Sequence, residues 1–192
     1  MKGVIQIGAH IAQEYSGWVA EGAENFIFFE PVLASYTKLC EILPKSDNIK
    51  TFNLALGNEV GCVVMNTEQV NQGMSSSILE PTLHLRQFPH IKFNSKELVN
   101  IDKLDNIKYD RTLYDYICLD VQGFELEVLK GTVNSLDYIN EMNIDVHADL
   151  YKGGAMIEDI DAFLFPIGFK RVKVDWGKRT WGNAKYIRTI IK

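Results

Sequence analysis

Residues 116–131, YICLDVQGFELEVLKG, combine an acidic side chain with a strand-to-helix turn. The apolar run ends at Asp120, a turn over Gln122 and Gly123 follows, and a helix is predicted from about Glu125. In α/β sheets, ligands bind beyond the carboxyl ends of the strands and at the amino ends of the following helices. Asp120 is therefore the first candidate for a residue at a reaction centre.

A second candidate ligand site follows the first apolar run, GVIQI. Gly8, Ala9 and His10 form a small-residue turn whose backbone amides can approach a ligand, and a carboxylate would suit them. In the dinucleotide motif G-x-G-x-x-G, the second and third glycines would stand where this chain has His10 and Gln13, which argues against a pyrophosphate ligand.

An acid at the end of the second apolar run extends this site. Glu30 follows Gly8 by about 22 residues, the separation at which an acid accepts hydrogen bonds from ribose hydroxyls. Each residue alone could be a tight turn or a solvated strand end. Together they favour a ligand with a ribose and no pyrophosphate, which points to S-adenosylmethionine.

Short apolar runs alternate with helix-like segments along the chain, as in parallel sheets with crossover helices. The last two strands are joined by about seven residues, too few for a parallel crossover, so the final strand is predicted to be antiparallel. We therefore predict the α/β fold of class I methyltransferases, a Rossmann-like three-layer sandwich with a mostly parallel seven-stranded sheet. The predicted strands are 3–7, 25–29, 49–54, 62–65 as a short extra strand, 114–120, 140–147, 168–175 and 183–191, and the helices are 12–20, 34–43, one from about 125, and 156–165.

Residues 66–97 have no sustained hydrophobic period and are predicted to be a functional loop or lid. They contain His84 and His90, which with Asp102 lack the spacing of metal ligands. We interpret both as solvated histidines and predict no metal. Ser75, Ser76 and Ser77 could bond a cofactor or the backbone of the loop.

Composition limits the class of protein. A chain of 192 residues with 46% hydrophobic content predicts one domain over 1–192. No apolar run approaches the roughly 20 residues of a membrane span, no signal peptide is evident, and three unclustered cysteines suggest reduced thiols. These features predict a soluble, cytoplasmic protein. The net charge of -5 disfavours a nucleic-acid partner.

Several motifs of this chain resemble those of FkbM-type methyltransferases over nearly its whole length. The most specific is LDVQGFELEVLKG, which is similar to the family signature I-D-V-E-G-x-E-x-x-V-L-x-G. The resemblance implies a class I fold and methyl transfer from S-adenosylmethionine, usually to a hydroxyl of a sugar or other small molecule. The matching segments, in family order, are GVIQIGAHIAQE, FIFFEP, LALGN, SSSILEP, DYICLDVQGFELEVLKG, LYKGGAMIEDIDAFLFPIGFKRV and WGNAKYIR.

The candidate cofactor contacts follow these motifs and the strand ends. Two of the family positions are neutral here: Gln6 stands where many members have an acid, and Gln122 where many have Glu. A glutamine carbonyl can still accept a hydrogen bond from an ammonium group. The predicted contacts are Gln6, Gly8, Ala9, His10, Glu30, Pro31, Ala55, Leu56, Ser76 and Asp120.

Two residues are candidates for the base that takes the proton of an acceptor hydroxyl. Asp120 ends one strand, although it could instead bind the methionine ammonium or organise the turn. His147 ends the next strand, and the two-residue period of a strand places Asp145 on the same face, where it could orient the imidazole. Glu125 is predicted to cap its helix.

Three aromatic residues near the same sheet edge are candidates for binding the acceptor. Trp176 and Trp181 bracket the final hairpin, and Tyr151 follows the strand that ends at His147. They could stack on a sugar face or pack within the protein. The sequence contains no substrate-specific motif and does not indicate an oligomeric state.

The function predicted from the sequence is an O-methyltransferase that uses S-adenosylmethionine. The alternative is a methyltransferase-like binding module that holds the cofactor or a partner without turnover, suggested by Gln6 and by a first strand that starts at Gly3. Methylation of RNA conflicts with the acidic charge balance.

Overall fold

The structure, a computed structural model, describes residues 1–177 and 180–189. Strands and helices alternate along the chain as the sequence predicts. The elements are β1 Gly3–Ile7, α1 Tyr15–Ala20, β2 Asn25–Phe29, α2 Leu33–Ile42, β3 Ile49–Phe52, β4 Ala55–Leu56, β5 Gly61–Thr67, α3 Leu83–Gln87, β6 Ser95–Asp102, β7 Tyr116–Leu119, α4 Glu125–Lys130, α5 Val133–Leu136, β8 Glu141–His147, α6 Ile157–Leu164, β9 Phe169–Trp176 and β10 Trp181–Arg188.

The main sheet has seven strands in the order β3-β2-β1-β7-β8-β10-β9. The first five strands in this order, β3, β2, β1, β7 and β8, are parallel. Strand β10 pairs antiparallel with both β8 and β9. The predicted fold class and the antiparallel last strand are thus confirmed. Because the strand order reverses between β1 and β7, the carboxyl ends of these two strands border the crevice where such sheets bind ligands.

Two apolar layers cover the sheet. Val4, Phe26 and Phe28 face one side, where they pack with residues of α1 and α2. Ile5 and Ile27 face the other side, where they pack with residues of α4, α5 and α6. Burial on both faces explains why β1 and β2 read as nearly continuous apolar runs rather than as alternating patterns.

A second sheet of three strands, β4-β6-β5, lies between the β3 and β7 segments of the chain. The strand predicted at 62–65 is confirmed and extends over Gly61–Thr67, but β6 was not predicted. In β6 only Val99 and Ile101 are buried apolar residues, whereas Leu98 is exposed and the other positions are mostly polar, so the sequence shows no clear strand pattern. The prediction that 66–97 is a loop is wrong at the end of β5, at α3 and at the start of β6.

Other differences concern the ends of elements. The helix predicted from Ala12 begins at Tyr15, because His10 and Ala12 have positive φ angles of 47° and 55°, which no helix contains. The last strand was predicted over 183–191 but runs over Trp181–Arg188, and positions 190 and 191 lie outside the described residues. No helix in the described part of the chain is long and apolar enough to cross a membrane.

Two glycines outside the ligand crevice should respond in opposite ways to alanine. An added Cβ at Gly131, after α4, would lie 1.9 Å from the carbonyl oxygen of Gly57, so Gly131→Ala should destabilise the fold by about 1–3 kcal/mol. At Gly17, inside α1, the added Cβ meets open space, so alanine there should stabilise by about 0.5–1 kcal/mol. Urea denaturation measures both changes, and equal stabilities would contradict the packing described.

Candidate active site

The turn between β7 and α4 is held against the end of β1 by a close backbone contact. Gln122 and Gly123 have φ angles of 54° and 104°, in the left-handed region. Gly8, after β1, has a φ angle of 79°, and an added Cβ there would lie 1.7 Å from the carbonyl oxygen of Asp120. Glycine at position 8 therefore allows the two strand ends to approach, which brings the two predicted ligand sites together.

Glu125, the first residue of α4, holds the turn from inside. Its Oε1 atom accepts hydrogen bonds of 3.1 Å from the backbone N–H groups of Val121 and Gly123. The prediction that Glu125 caps its helix is therefore wrong: the carboxylate binds amides of the preceding turn, and the start of α4 has no side-chain cap. The side chain is 1% exposed, and its Oε2 atom has no hydrogen-bond partner among the described residues.

Gln122 connects Asp120 to the wall of the crevice. Its Nε2 atom donates to Asp120 Oδ1 at 2.6 Å, and its Oε1 atom accepts from the Tyr151 hydroxyl at 2.8 Å. The same hydroxyl lies 3.0 Å from the carbonyl oxygen of Ser75. A glutamate at position 122 could not donate to Asp120, so the neutral residue allows a bridge that the family's usual acid would not form.

A first cavity of about 330 Å³ opens at the ends of β1, β2 and β7. This volume is within the range of small-molecule sites. Nine of the ten predicted cofactor contacts line it: Gln6, Gly8, His10, Glu30, Pro31, Ala55, Leu56, Ser76 and Asp120. Residues not proposed from the sequence also line it, among them Glu14, Val32, Met74, Phe124, Asn143 and Asn183.

The backbone amides after β1 do not form the predicted carboxylate cradle. The N–H groups of Gly8 and Ala9 both donate to the carbonyl oxygen of Phe29, and that of His10 donates to Glu30 Oε2. Ala9 itself is fully buried and is not among the described residues that line the cavity. The turn therefore shapes the cavity, and its first three amides are occupied within the protein.

Glu30 is a buried acid on the cavity wall, with 5% of its surface exposed. Its Oε1 accepts from the N–H of Val32 at 2.9 Å, and its Oε2 accepts from the N–H of His10 at 2.8 Å. Each oxygen keeps a second lone pair for a ligand. Burial raises the pKa of Glu30 to about 7, an effect that the two backbone hydrogen bonds partly offset.

Gln6 offers an unpaired acceptor to the same cavity. Its Nε2 atom donates to Glu14 Oε2 at 2.9 Å, which directs the other end of the amide away from that carboxylate. The Oε1 atom is buried and has no hydrogen-bond partner among the described residues. A buried carbonyl without a donor is unfavourable, so this position suits a ligand that brings an N–H group.

A second cavity of about 410 Å³ adjoins the first. Asp120, Gln122 and Asp145 line both cavities. His147 and Tyr151 line the second cavity and are not among the described residues that line the first. His147 is 1% exposed, and neither ring nitrogen has a hydrogen-bond partner in the described part of the chain. Burial lowers its pKa, which favours the neutral imidazole.

Asp145 does not orient His147 as predicted. Instead Asp120, Glu125 and Asp145 bring one carboxylate oxygen each within 4.8 Å of one another; we call these three residues the acidic cluster. Burial, followed by the charges of its two neighbours, raises the pKa of Asp145 well above its ordinary value. The carboxylate within ion-pair distance of His147 is that of Glu125, whose Oε2 lies 3.9 Å from Nε2.

The two tryptophans of the hairpin differ in position. Trp181 pairs with His147 across β10 and β8 and lines both cavities, whereas Trp176 is not among the described residues that line either one. Part of the intervening turn, 178–179, lies outside the described residues. His84 was interpreted as solvated, and this is wrong: it is 3% exposed and packs against Tyr151. His90 is exposed.

Asn143 was missed although the sequence contained a signal for it. Along β8, Asn143, Asp145 and His147 alternate with Ile144 and Val146. Polar residues at every second position of an otherwise apolar strand lie on one face and mark that face as a possible site. Asn143 donates to Asn183 of the neighbouring strand at 3.2 Å, so the pair extends the wall of the first cavity.

The fold and the crevice define a class I methyltransferase architecture, and solved structures share it. Magnesium protoporphyrin IX methyltransferase from Synechocystis PCC 6803 with bound S-adenosylmethionine has a TM-score of 0.51 and 10% identity, covering 97% of this chain and 69% of that one. Ribosomal protein L11 methylase from Lactobacillus delbrueckii has a TM-score of 0.52 and 13% identity, covering 97% and 70%. At these identities the likeness shows the fold alone.

The family is established by sequence. The profile of the methyltransferase FkbM domain matches residues 6–173, so this chain belongs to the FkbM methyltransferase family, as its motifs indicated. No curated protein sequence matches the chain significantly.

The bridge through Tyr151 generates a prediction about the cavity wall. Tyr151→Phe removes the hydroxyl shared by Gln122 and Ser75, leaving a buried carbonyl without its donor, so it should destabilise the protein by about 1–3 kcal/mol. Tyr138→Phe, at a side chain that is 45% exposed, is the matched control and should be neutral. Chemical denaturation compares the two, and equal stabilities would show that the bridge does not support the wall.

Proposed function

We propose that this chain is an S-adenosylmethionine-dependent O-methyltransferase that acts on a hydroxyl of a sugar or another small molecule. The observation that carries the proposal is the pair of adjoining cavities with Asp120 in their common wall. The first offers groups for a methyl donor, and the second offers a neutral histidine to an acceptor. A donor and an acceptor in these cavities would meet beside Asp120.

The first cavity fits S-adenosylmethionine by the chemistry of its unpaired groups. Glu30 keeps lone pairs for the two ribose hydroxyls, and Gln6 Oε1 is the buried acceptor for an ammonium group. Ala55, Leu56 and Phe124 supply apolar surface for an adenine ring. Pro31 and Ser76 complete the wall on that side, and Gly8 and His10 shape the opposite turn.

When bound, S-adenosylmethionine supplies a methyl group already activated by a positively charged sulfur, so the protein needs no covalent intermediate. The chain's task is to align the acceptor oxygen and to receive its proton. His147 lines the acceptor cavity and not the donor cavity, and burial lowers its pKa and so favours the neutral ring that can take a proton; we assign it this role. Asp120 faces both cavities and is fixed by Gln122, so we assign it the positioning of both ligands.

The acceptor cavity supports a neutral hydroxyl compound as the substrate class. Asp120 and Asp145 line it, and carboxyl groups without a cationic partner among the described residues disfavour an anionic acceptor. Tyr151 and Trp181 provide aromatic surface of the kind that binds sugar faces. The solved relatives act on a porphyrin and on a ribosomal protein, so the fold itself does not select the acceptor.

The raised pKa of Glu30 predicts how cofactor binding depends on pH. The ionised carboxylate accepts ribose hydrogen bonds better than the acid, so affinity for S-adenosylmethionine should fall about tenfold between pH 8 and pH 6, as Glu30 protonates near its pKa of about 7. Glu30→Gln should bind about 10–100-fold more weakly at pH 8 and should lose this pH dependence.

Isothermal titration calorimetry across this pH range measures both effects. The ligand's own titration affects the wild type and the variant alike, so the difference between their pH profiles reports Glu30. Parallel profiles would contradict a role for this carboxylate in binding.

The role of His147 can be tested with His147→Gln. Loss of the proton acceptor should lower turnover by about 100-fold or more while the affinity for S-adenosylmethionine stays unchanged. Lys152→Ala, in the segment that follows β8, is the control, because the exposed Lys152 side chain makes a surface ion pair with Glu80 and its backbone contact is kept in the variant. Normal turnover in His147→Gln would exclude it as the base.

The acceptor itself requires a direct search. The protein is incubated with labelled S-adenosylmethionine and a glycan and metabolite library, and the methylated product is identified by mass spectrometry. We expect a methyl ether. Binding of S-adenosylmethionine without transfer to any member of a broad panel would favour the alternative, a cofactor-binding module.

A further inference from the structure

The acidic cluster lies where the two cavities meet. The proposed proton transfer uses Asp120 for positioning and assigns no role to the other two carboxyl groups, Glu125 and Asp145. Asp120 and Asp145 line both cavities, and Glu125 lies buried among them. One oxygen from each of the three side chains falls within 4.8 Å of the others. Two ligands on opposite sides of one Mg²⁺ or Ca²⁺ ion lie about 4–5 Å apart, so the cluster already has the span of a coordination sphere.

The described residues provide no counter-charge for this cluster. No Lys or Arg side chain from 1–177 or 180–189 forms an ion pair with any of the three carboxylates. Asp145 is 8% exposed, and no described group donates a hydrogen bond to its carboxylate. Asp120 is exposed to the cavities, but Glu125 and Asp145 are buried, and buried carboxylates are normally paired or bound to a metal ion. The cluster has no such partner among the described residues.

A fourth group points independently to a missing ligand. His147 is 1% exposed, neither of its ring nitrogens has a hydrogen-bond partner among the described atoms, and Nε2 faces Glu125 Oε2 at 3.9 Å. The ring is held there by tight packing, since an added Cβ at Gly154 would lie 2.7 Å from its Cε1 atom. An unpaired nitrogen and an unpaired carboxylate oxygen thus face each other across a gap too long for a hydrogen bond.

We propose that Asp120, Glu125 and Asp145 bind a divalent cation, Mg²⁺ or Mn²⁺, at the junction of the two cavities. Carboxylate oxygens are the ligands that these hard cations prefer. Glu125 is prepared for this role, because two backbone amides fix its Oε1 and leave Oε2 free. Asp120 and Asp145 reach the same ion from the cavity wall, where other coordination positions stay open to a substrate.

The role of the cation rests on the proposed function. An acceptor hydroxyl that binds the ion has a lower pKa, because the positive charge stabilises the alkoxide. The hydroxyl proton passes to His147, the acceptor oxygen forms a bond to the methyl carbon, and the carbon–sulfur bond breaks with its electron pair left on sulfur. The reaction then favours acceptors that can bind a metal through a hydroxyl and a neighbouring oxygen, such as a vicinal diol.

The test measures cation binding directly, without cofactor or acceptor. Mn²⁺ is titrated into the full chain at pH 7.5, and free Mn²⁺ is followed by electron paramagnetic resonance. We expect one Mn²⁺ per chain, displaced by Mg²⁺. Glu125→Gln and Asp145→Asn should each weaken Mn²⁺ binding by more than about tenfold, because losing even a residue that only supports a metal ligand typically costs that much. Glu125→Gln keeps the Oε1 atom that the two amides bind. Glu127→Gln, on the same helix and paired with Lys130 at the surface, is the matched control.

The outcomes separate this proposal from the proposed function. No saturable Mn²⁺ binding by the wild type, or equal binding by Glu125→Gln and Glu127→Gln, would overturn the cation site. Calorimetry with S-adenosylmethionine is run in parallel with a chelator present. Cofactor binding and methyl transfer that persist with the chelator would support the proposed methyltransferase and contradict the cation site. Mn²⁺ binding without cofactor binding would support the cation site and contradict the proposed function. Circular dichroism confirms that each variant is folded.

Discussion

The backbone contact between Gly8 and Asp120 is the constraint on which the candidate site depends. It brings the ends of β1 and β7 closer than any side chain at position 8 would allow. Gln6, Glu30 and Asp120 consequently line one cavity, although Gln6 lies in β1 and the two acids directly follow β2 and β7. The tight turns that connect these strand ends to their helices require residues in the left-handed conformation. His10 and Gln122 adopt it, with φ angles of 47° and 54°.

Polar groups buried without partners are the second feature of the molecule. Gln6 Oε1, Glu125 Oε2 and both nitrogens of His147 lack hydrogen bonds among the described residues. Native proteins contain few such groups, and here they surround the two cavities rather than being scattered through the core. The acidic cluster adds three carboxyl groups at the same place, with no ion pair to a Lys or Arg side chain among the described residues. The site is therefore organised for ligands that bring hydrogen-bond donors and positive charge.

The sequence predicted much of the fold because both faces of the main sheet are buried. Continuous apolar runs identified β1 and β2 to the residue, and the short final connection required an antiparallel last strand. The second sheet was harder, because β6 has only two buried apolar positions, Val99 and Ile101, among exposed and polar ones. Helix starts were also misplaced where left-handed residues such as Ala12 delay them.

For the site, the sequence determined which residues stand at the strand ends, because a strand's period and its terminating turn are local properties. This was enough to select Gln6, Glu30 and Asp120 and to indicate the family. Tertiary structure decided the contacts. Only packing shows that Phe29 and Glu30 occupy the amides after β1 and that Asp145 joins Asp120 and Glu125 rather than orienting His147. Such pairings depend on how separate strands and helices approach one another in space, and residue spacing along the chain carries no record of those distances.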